Sequence, residues 1–249
     1  MKRYDLIDTI RGLAVISMIG FHACWLASYF GLGISTETLF GTAFTVWERS
    51  ICITFIIVAG FSFSLGRRHL RSGLLISAIG AAITLITCLF VPDIRIIFGV
   101  LTFIGFATLV MIPLDKLIGR KASESRTASY IGLIGSFLLF LFAYNINKGT
   151  LAFGIKLPQQ LFSGYVSTFF GFMKPGFYSA DYFSFIPWFF LYLCGYFIHK
   201  IVIGKKTGKA LSYRIPGVDF IGRHSLIIYI IHPIVLYVLF FLLCKVQNA

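Results

Sequence analysis

The sequence predicts an all-α fold, a polytopic membrane helical bundle of about seven transmembrane helices. Three observations predict it. Of 249 residues, 58% are hydrophobic and 12% charged, about half the charged share of a soluble domain. Mean hydropathy is +0.89. Apolar stretches of about 20 residues, enough to cross a hydrocarbon core of about 30 Å at 1.5 Å per residue, recur along the whole chain. The 28 Phe residues fit a chain solvated by lipid. The chain reads as one domain, 1–249, with an aromatic-rich loop at 146–182.

The apolar windows fall at 10–30, 43–65, 73–91, 95–113, 127–145, 183–203 and 224–244. The first begins from a basic end, as a secretory leader does. Asp5 and Asp8 sit in its charged region, His22 interrupts the apolar run and no convincing cleavage site follows. It therefore reads as a retained helix.

Loop charge predicts orientation. Lys2, Arg3 and Arg11, then Arg67, Arg68 and Arg71, then Lys116, Arg120, Lys121 and Arg126, then Lys200, Lys205, Lys206, Lys209, Arg214 and Arg223 fall on one side. The other side carries Arg95, Lys148, Lys156, Lys174 and Lys245, with Arg49 just inside a helix. The positive-inside rule puts the rich side, the N-terminus with it, in the cytoplasm and the C-terminus outside. The localisation expected is the inner or plasma membrane. The net charge of +13 is thus a topology signal rather than the footprint of a nucleic-acid partner. A secondary role in holding an anionic cytosolic ligand stays open.

The 146–182 loop is then external. Phe153, Phe162, Tyr165, Phe169, Phe170, Phe172, Phe177 and Tyr178 predict an interfacial or re-entrant helix near 158–173, as an anchor or as a lid. Small residues four apart, Gly60/Ser64, Gly73/Ser77 and Gly132/Ser136, fit close helix packing. Cys24, Cys52, Cys88, Cys194 and Cys244 are scattered without CxxC spacing, so neither zinc nor a disulfide framework is expected. They read as small core residues. No metal-ligand spacing joins any histidines. The chain contains no GxSxG elbow and no glycine-rich phosphate loop.

Ionisable groups inside spanning helices are costly and are the functional candidates. His22 leads. It lies eleven residues beyond Arg11, about 16 Å along the axis and close to mid-bilayer. A neutral imidazole there can accept a proton; the alternative is a histidine bonded to a neighbouring helix. His232 is followed by Pro233, which removes a backbone donor and frees a carbonyl around Ile228–Tyr229. Asp8 and Arg11 are spaced to face each other, or Asp8 caps the helix. Glu48 and Arg49 near one end of a span, with Asp181 and Tyr182 on the same outer side, either position a polar acceptor above His22 or snorkel to water. His69, His199 and His224 sit at helix ends.

These residues fall into a pattern. Arg3-Tyr4-Asp5-Leu6-Ile7-Asp8-Thr9-Ile10-Arg11-Gly12-Leu13-Ala14, followed by Met18 and His22, resembles the start of transmembrane acyltransferases. Phe98-Gly99-Val100-Leu101 with Ile104-Gly105, Asp181-Tyr182-Phe183 with Ile186-Pro187-Trp188 and Gly195, and Gly222-Arg223-His224-Ser225-Leu226 with Tyr229 and His232-Pro233 follow. In that order they are similar to segments of the heparan-α-glucosaminide N-acetyltransferase catalytic family, and the chain reads as a bacterial member. The Gln that usually separates the last His and Pro is absent.

The resemblance implies acetyl transfer across a membrane, from cytosolic acetyl-CoA as co-substrate to an amine or hydroxyl of an external sugar or glycoconjugate. It implies His22 as the catalytic residue with Arg11 in support, Asp181 in the same set, and a homodimer; no metal is expected. Glu48, Arg49, Trp188 and His232 form the expected acceptor-binding set. Arg67, Arg68 and Arg71 are the expected anchors for the CoA phosphates. Two other classes compete. A transporter or flippase for a small polar or lipid-linked solute would move solute without acetyl-CoA, and a scaffold would tolerate His22→Ala. A retinal pigment is disfavoured, since the last helix has no interior lysine.

Overall fold

The computed structural model describes residues 4–203 and 210–247. Lys2, Arg3, Lys205, Lys206 and Lys209, part of the charge asymmetry, lie outside the described residues. The order is α1 (Asp5–Tyr29), α2 (Thr36–Leu39), α3 (Thr42–Phe63), α4 (His69–Phe90), α5 (Val100–Glu124), α6 (Arg126–Ala143), α7 (Tyr165–Phe170), α8 (Phe185–Val202), α9 (Val218–Arg223) and α10 (Ser225–Gln247). Seven of these are long and apolar enough to cross a membrane: α1, α3, α4, α5, α6, α8 and α10. No strand occurs among the described residues.

Two expected boundaries move, each for a physical reason. The fourth span, expected over 95–113, begins at Val100 and runs through Pro113 to Glu124. Its start is delayed because Phe98 takes a left-handed φ of 58°, which no helical turn accommodates. Pro113 does not end it, since prolines are tolerated within spanning helices where local adjustment satisfies the freed carbonyl. Ser125 separates α5 from α6: its Oγ accepts the N–H of Ala128 at 3.2 Å, capping the new helix.

Chain contacts divide the protein into two compact units, 1–58 with 205–249 and 59–204. In the first, α1 packs against α9 and α10. Val15, Met18 and Ile51 form its core, with Phe21, Trp47, Phe55, Ile228 and Tyr229 packed around them. The close approach of α1 and α9 depends on glycine. A Cβ at Gly222 would collide with the carbonyl of Asp8, and one at Gly12 with the carbonyl of Val218.

In the second unit α4 lies along α5, and α6 along α8. The α4–α5 seam is the small-residue contact expected at Gly73/Ser77, since a Cβ on Gly105 would strike the backbone of Ser77. Phe103, Ala107 and Met111 on α5, and Tyr192 and Tyr196 on α8, are fully buried in this unit. The expected interfacial helix shortens to a 3-10 turn at Gln159–Phe162 and to α7. Part of its aromatic set turns inward: Phe169 packs edge-on against Phe98 and Phe106, at 5.3 and 5.0 Å between centroids. Tyr165, Phe170 and Tyr178 stay exposed, and Phe153 is 96% exposed at the tip of a tight turn.

Outward faces are apolar as lipid requires. Leu74, Leu75, Leu85 and Leu89 on α4, and Ile234, Val235 and Val238 on α10, are exposed. A water-soluble surface does not carry such continuous patches. Of the cysteines Cys194 is buried as expected, whereas Cys88 is exposed.

Candidate functional site

α1 sets the geometry of the first unit. Asp8 and Arg11, three residues apart, meet on one face, with Nη1 of Arg11 2.9 Å from Oδ1 of Asp8. Eleven residues make about three turns, so His22 projects from the same side of α1 as Arg11. At the Asp8 level a second guanidinium arrives from α9. Nη2 of Arg223 reaches Asp219 at 2.6 Å and Asp5 at 3.1 Å, and its Nε lies 3.7 Å from Asp8. Asp8 and Asp219 are buried. Buried carboxylates persist when paired and hydrogen-bonded, so this cluster fastens α9 to the start of α1. The sequence reading missed Asp219. Its signal was the i,i+4 spacing to Arg223.

Three turns along α1, the ring of His22 meets that of His232 on α10, with centroids 5.0 Å apart at 54°. His22 is exposed, and His232 is buried. The imidazole Nδ1 of His232 lies 2.8 Å from the carbonyl oxygen of Tyr229 and 3.1 Å from that of Ile228. In a helix the carbonyl of Tyr229 would accept the amide of residue 233, which is proline and has none. The histidine side chain supplies the missing donor. Its Nε2 is buried with no hydrogen-bond partner among the described residues.

Glu48 and Arg49 are half-buried on α3. They follow Trp47, whose indole N–H donates to Ser17 on α1 at 2.7 Å.

In the second unit, Asp181 sits where the chain approaches the start of α5. Its Oδ2 accepts the N–H of Val100 at 3.1 Å. The neighbouring backbone is laced to the same segment: Phe183 N–H donates to Phe98, Ala180 N–H to Arg95, and Ile97 N–H to Ser179 Oγ. Tyr182 donates its hydroxyl to the carbonyl of Thr168 at 2.5 Å, and burial pushes its pKa up to about 12. Trp188 is buried between Phe183 and Phe140 in the packed core. Arg67, Arg68 and Arg71 are exposed where α4 begins, and they form no ion pair among the described residues. Their charge adds to the positive end of the helix dipole, an arrangement suited to phosphate.

A further polar pair went unread in the sequence. Asp115 on α5 accepts the hydroxyl of Tyr196 on α8 at 2.5 Å. The available signal was an acid inside a spanning segment.

Among the described residues, no three His, Cys, Asp or Glu side chains gather as a metal site would need. Seven apolar spans, with paired imidazoles on two of those in the first unit, define the chain as a multi-pass membrane protein with ionisable groups inside its spans. The family described as "Heparan-alpha-glucosaminide N-acetyltransferase, catalytic" matches residues 3–234, nearly the whole chain, and the protein belongs to it. The protein is accordingly a membrane acetyltransferase. No curated protein and no solved structure matches it.

Proposed function

We propose that this acetyltransferase takes its acetyl group from acetyl-CoA on the cytoplasmic side and passes it to an amine or hydroxyl of an extracytoplasmic sugar or glycoconjugate. The observation that carries the reading is the His22–His232 pair, two imidazoles 5.0 Å apart within spanning helices, where ionisable groups are retained for function. Acetyl-CoA, when bound, supplies an acetyl group activated as a thioester. Arg67, Arg68 and Arg71 hold its phosphates, since their guanidinium forks match phosphate oxygens. The exposed ring of His22 takes the proton from the attacking amine or hydroxyl and returns it to the departing sulfur. Arg11 fixes the base of α1 through Asp8. Glu48 and Arg49 orient the acceptor, while His232, 6% exposed, lies behind His22 rather than against the acceptor. Asp181 and Trp188 hold the outer end of the second unit in shape.

The test uses purified protein in lipid nanodiscs, acetyl-CoA and a panel of amino sugars, with free thiol as the readout. Wild type releases thiol in an acceptor-dependent way. His22→Ala lowers that rate by about 100-fold or more while the thermal transition stays in place. Acetyl-CoA-independent movement of sugar into proteoliposomes, with no thiol release, would overturn the reading in favour of a transporter. Acetyl label trapped on His22 would convert the base into a nucleophile.

A further inference from the structure

His232 bonds its own helix in a way that fixes its chemistry. Both atoms near Nδ1 are carbonyl oxygens, of Tyr229 at 2.8 Å and Ile228 at 3.1 Å, and carbonyl oxygens only accept. Nδ1 therefore carries the proton. In the neutral ring the lone pair is then on Nε2. That nitrogen is buried and has no partner among the described residues, and the residue as a whole is 6% exposed. A buried acceptor left without a donor is a cost that calls for an explanation. Capping the carbonyl that Pro233 leaves open uses Nδ1 alone and does not account for the buried lone pair on Nε2.

The ring of His22 lies 5.0 Å away between centroids. The rings are tilted by 54° and are not hydrogen-bonded as they stand, but at this spacing a turn of the His22 ring can bring one of its N–H groups within reach of the Nε2 lone pair. His22 is the exposed and rotatable member, and His232 is the buried and anchored one.

We infer that His232 is a positioning residue for His22: its Nε2 lone pair accepts a ring N–H from His22, selecting the His22 tautomer whose other nitrogen is free to act as base. Pro233 is the origin of the arrangement. By removing an amide it exposes the Tyr229 carbonyl, the carbonyl holds the His232 proton on Nδ1, and the held proton aims the lone pair. The inference rests on the acetyl-transfer reading of His22.

Two substitutions separate the halves of the imidazole. His232→Asn keeps an N–H near the position of Nδ1 and removes the acceptor at Nε2. His232→Gln carries an acceptor oxygen out to the Nε2 position and gives up the bond to Tyr229. The expected result for His232→Asn is a near-wild-type thermal transition with kcat lowered about 100-fold and the KM for acetyl-CoA within about twofold. His232→Gln is less stable, yet recovers about tenfold of the lost kcat. A purely structural role predicts the reverse order, Asn active and Gln inactive, and that order would overturn the inference. Should His232→Asn not fold, ¹⁵N spectra of histidine-labelled wild type and His22→Ala decide it. The Nε2 resonance of His232 shifts when His22 is removed; an unmoved resonance overturns the inference. His22→Ala at the wild-type rate would overturn the acetyl-transfer reading as well. An inactive His22→Ala beside a fully active His232→Asn overturns this inference alone.

Discussion

Asp181 caps α5 from 81 residues away in sequence, its Oδ2 accepting the first backbone N–H of the helix, that of Val100, at 3.1 Å. Gly99 belongs to the same contact, because a Cβ there would sit 2.9 Å from that oxygen. Asp181→Ala is expected to cost about 1 kcal/mol, the usual worth of a helix cap, and Asp181→Asn less, since the amide keeps an acceptor oxygen. Thermal unfolding in detergent measures both. Total acetyl transfer should follow the folded fraction, with the rate per folded molecule unchanged; a loss of about 100-fold at unchanged stability would instead place the carboxylate in the chemistry.

The α1–α9 contact is intolerant of added volume. Gly222→Ala drives a methyl into the carbonyl of Asp8, and backbone cannot yield as a side chain does. A loss of about 3 kcal/mol is expected, the upper end of overpacking, seen as a lowered unfolding temperature and poor recovery of folded protein. Gly135→Ala on α6 is the matched control. Nothing lies within 4 Å of a Cβ at Gly135, so the change should be neutral or slightly stabilising.

Arg223 holds Asp219 and Asp5 and borders Asp8. Arg223→Ala strands the buried carboxylate of Asp219, while Asp8 keeps Arg11, and the cost should exceed that of Asp219→Ala alone. The cycle Arg223→Ala, Asp219→Ala and the double variant should return a coupling of about 1–3 kcal/mol. Arg223→Lys should recover little of it, because a single ammonium cannot fork between separate carboxylates.

Tyr182 makes the second unit sensitive to alkali. Its folded pKa is raised from 10.0 to about 12 by burial. A raised folded pKa means that the folded state holds the phenolic proton more tightly than the unfolded one. The resulting stability is fully present below about pH 10 and is lost as pH climbs through about 12. Tyr182→Phe gives up the bond to the Thr168 carbonyl, worth about 1 kcal/mol near neutrality. The variant should show a flatter fall in stability between pH 10 and 12 than wild type.

The seven spans were legible in the sequence, and so was the polar content of α1 and α10. Burying a long apolar run in lipid is a local property summed along the chain, so each window declares itself without reference to the others. His22 and the freed carbonyl near Tyr229 were legible for the same reason, as a charged-type side chain or a proline in such a run is costly wherever it occurs. The start of α5 at Val100 was not, because it depends on the left-handed backbone at Phe98 and on a cap that comes from Asp181. Asp115 and Asp219 escaped because their partners are supplied by folding or by a short helix without its own hydropathy signal.

By itself, then, the sequence determined the class of the protein, its membrane spans and its family, since these follow from composition, periodicity and four motif segments in order. The tertiary structure decided how those segments pair. The opening segment around Asp8, Arg11 and Gly12 closes on the last, around Gly222 and Arg223, and His22 of the one meets His232 of the other; Phe98–Val100 closes on Asp181–Phe183. The reason is physical: hydrogen bonds and close backbone contacts act over a few ångströms in space, and distance along the chain does not reveal them.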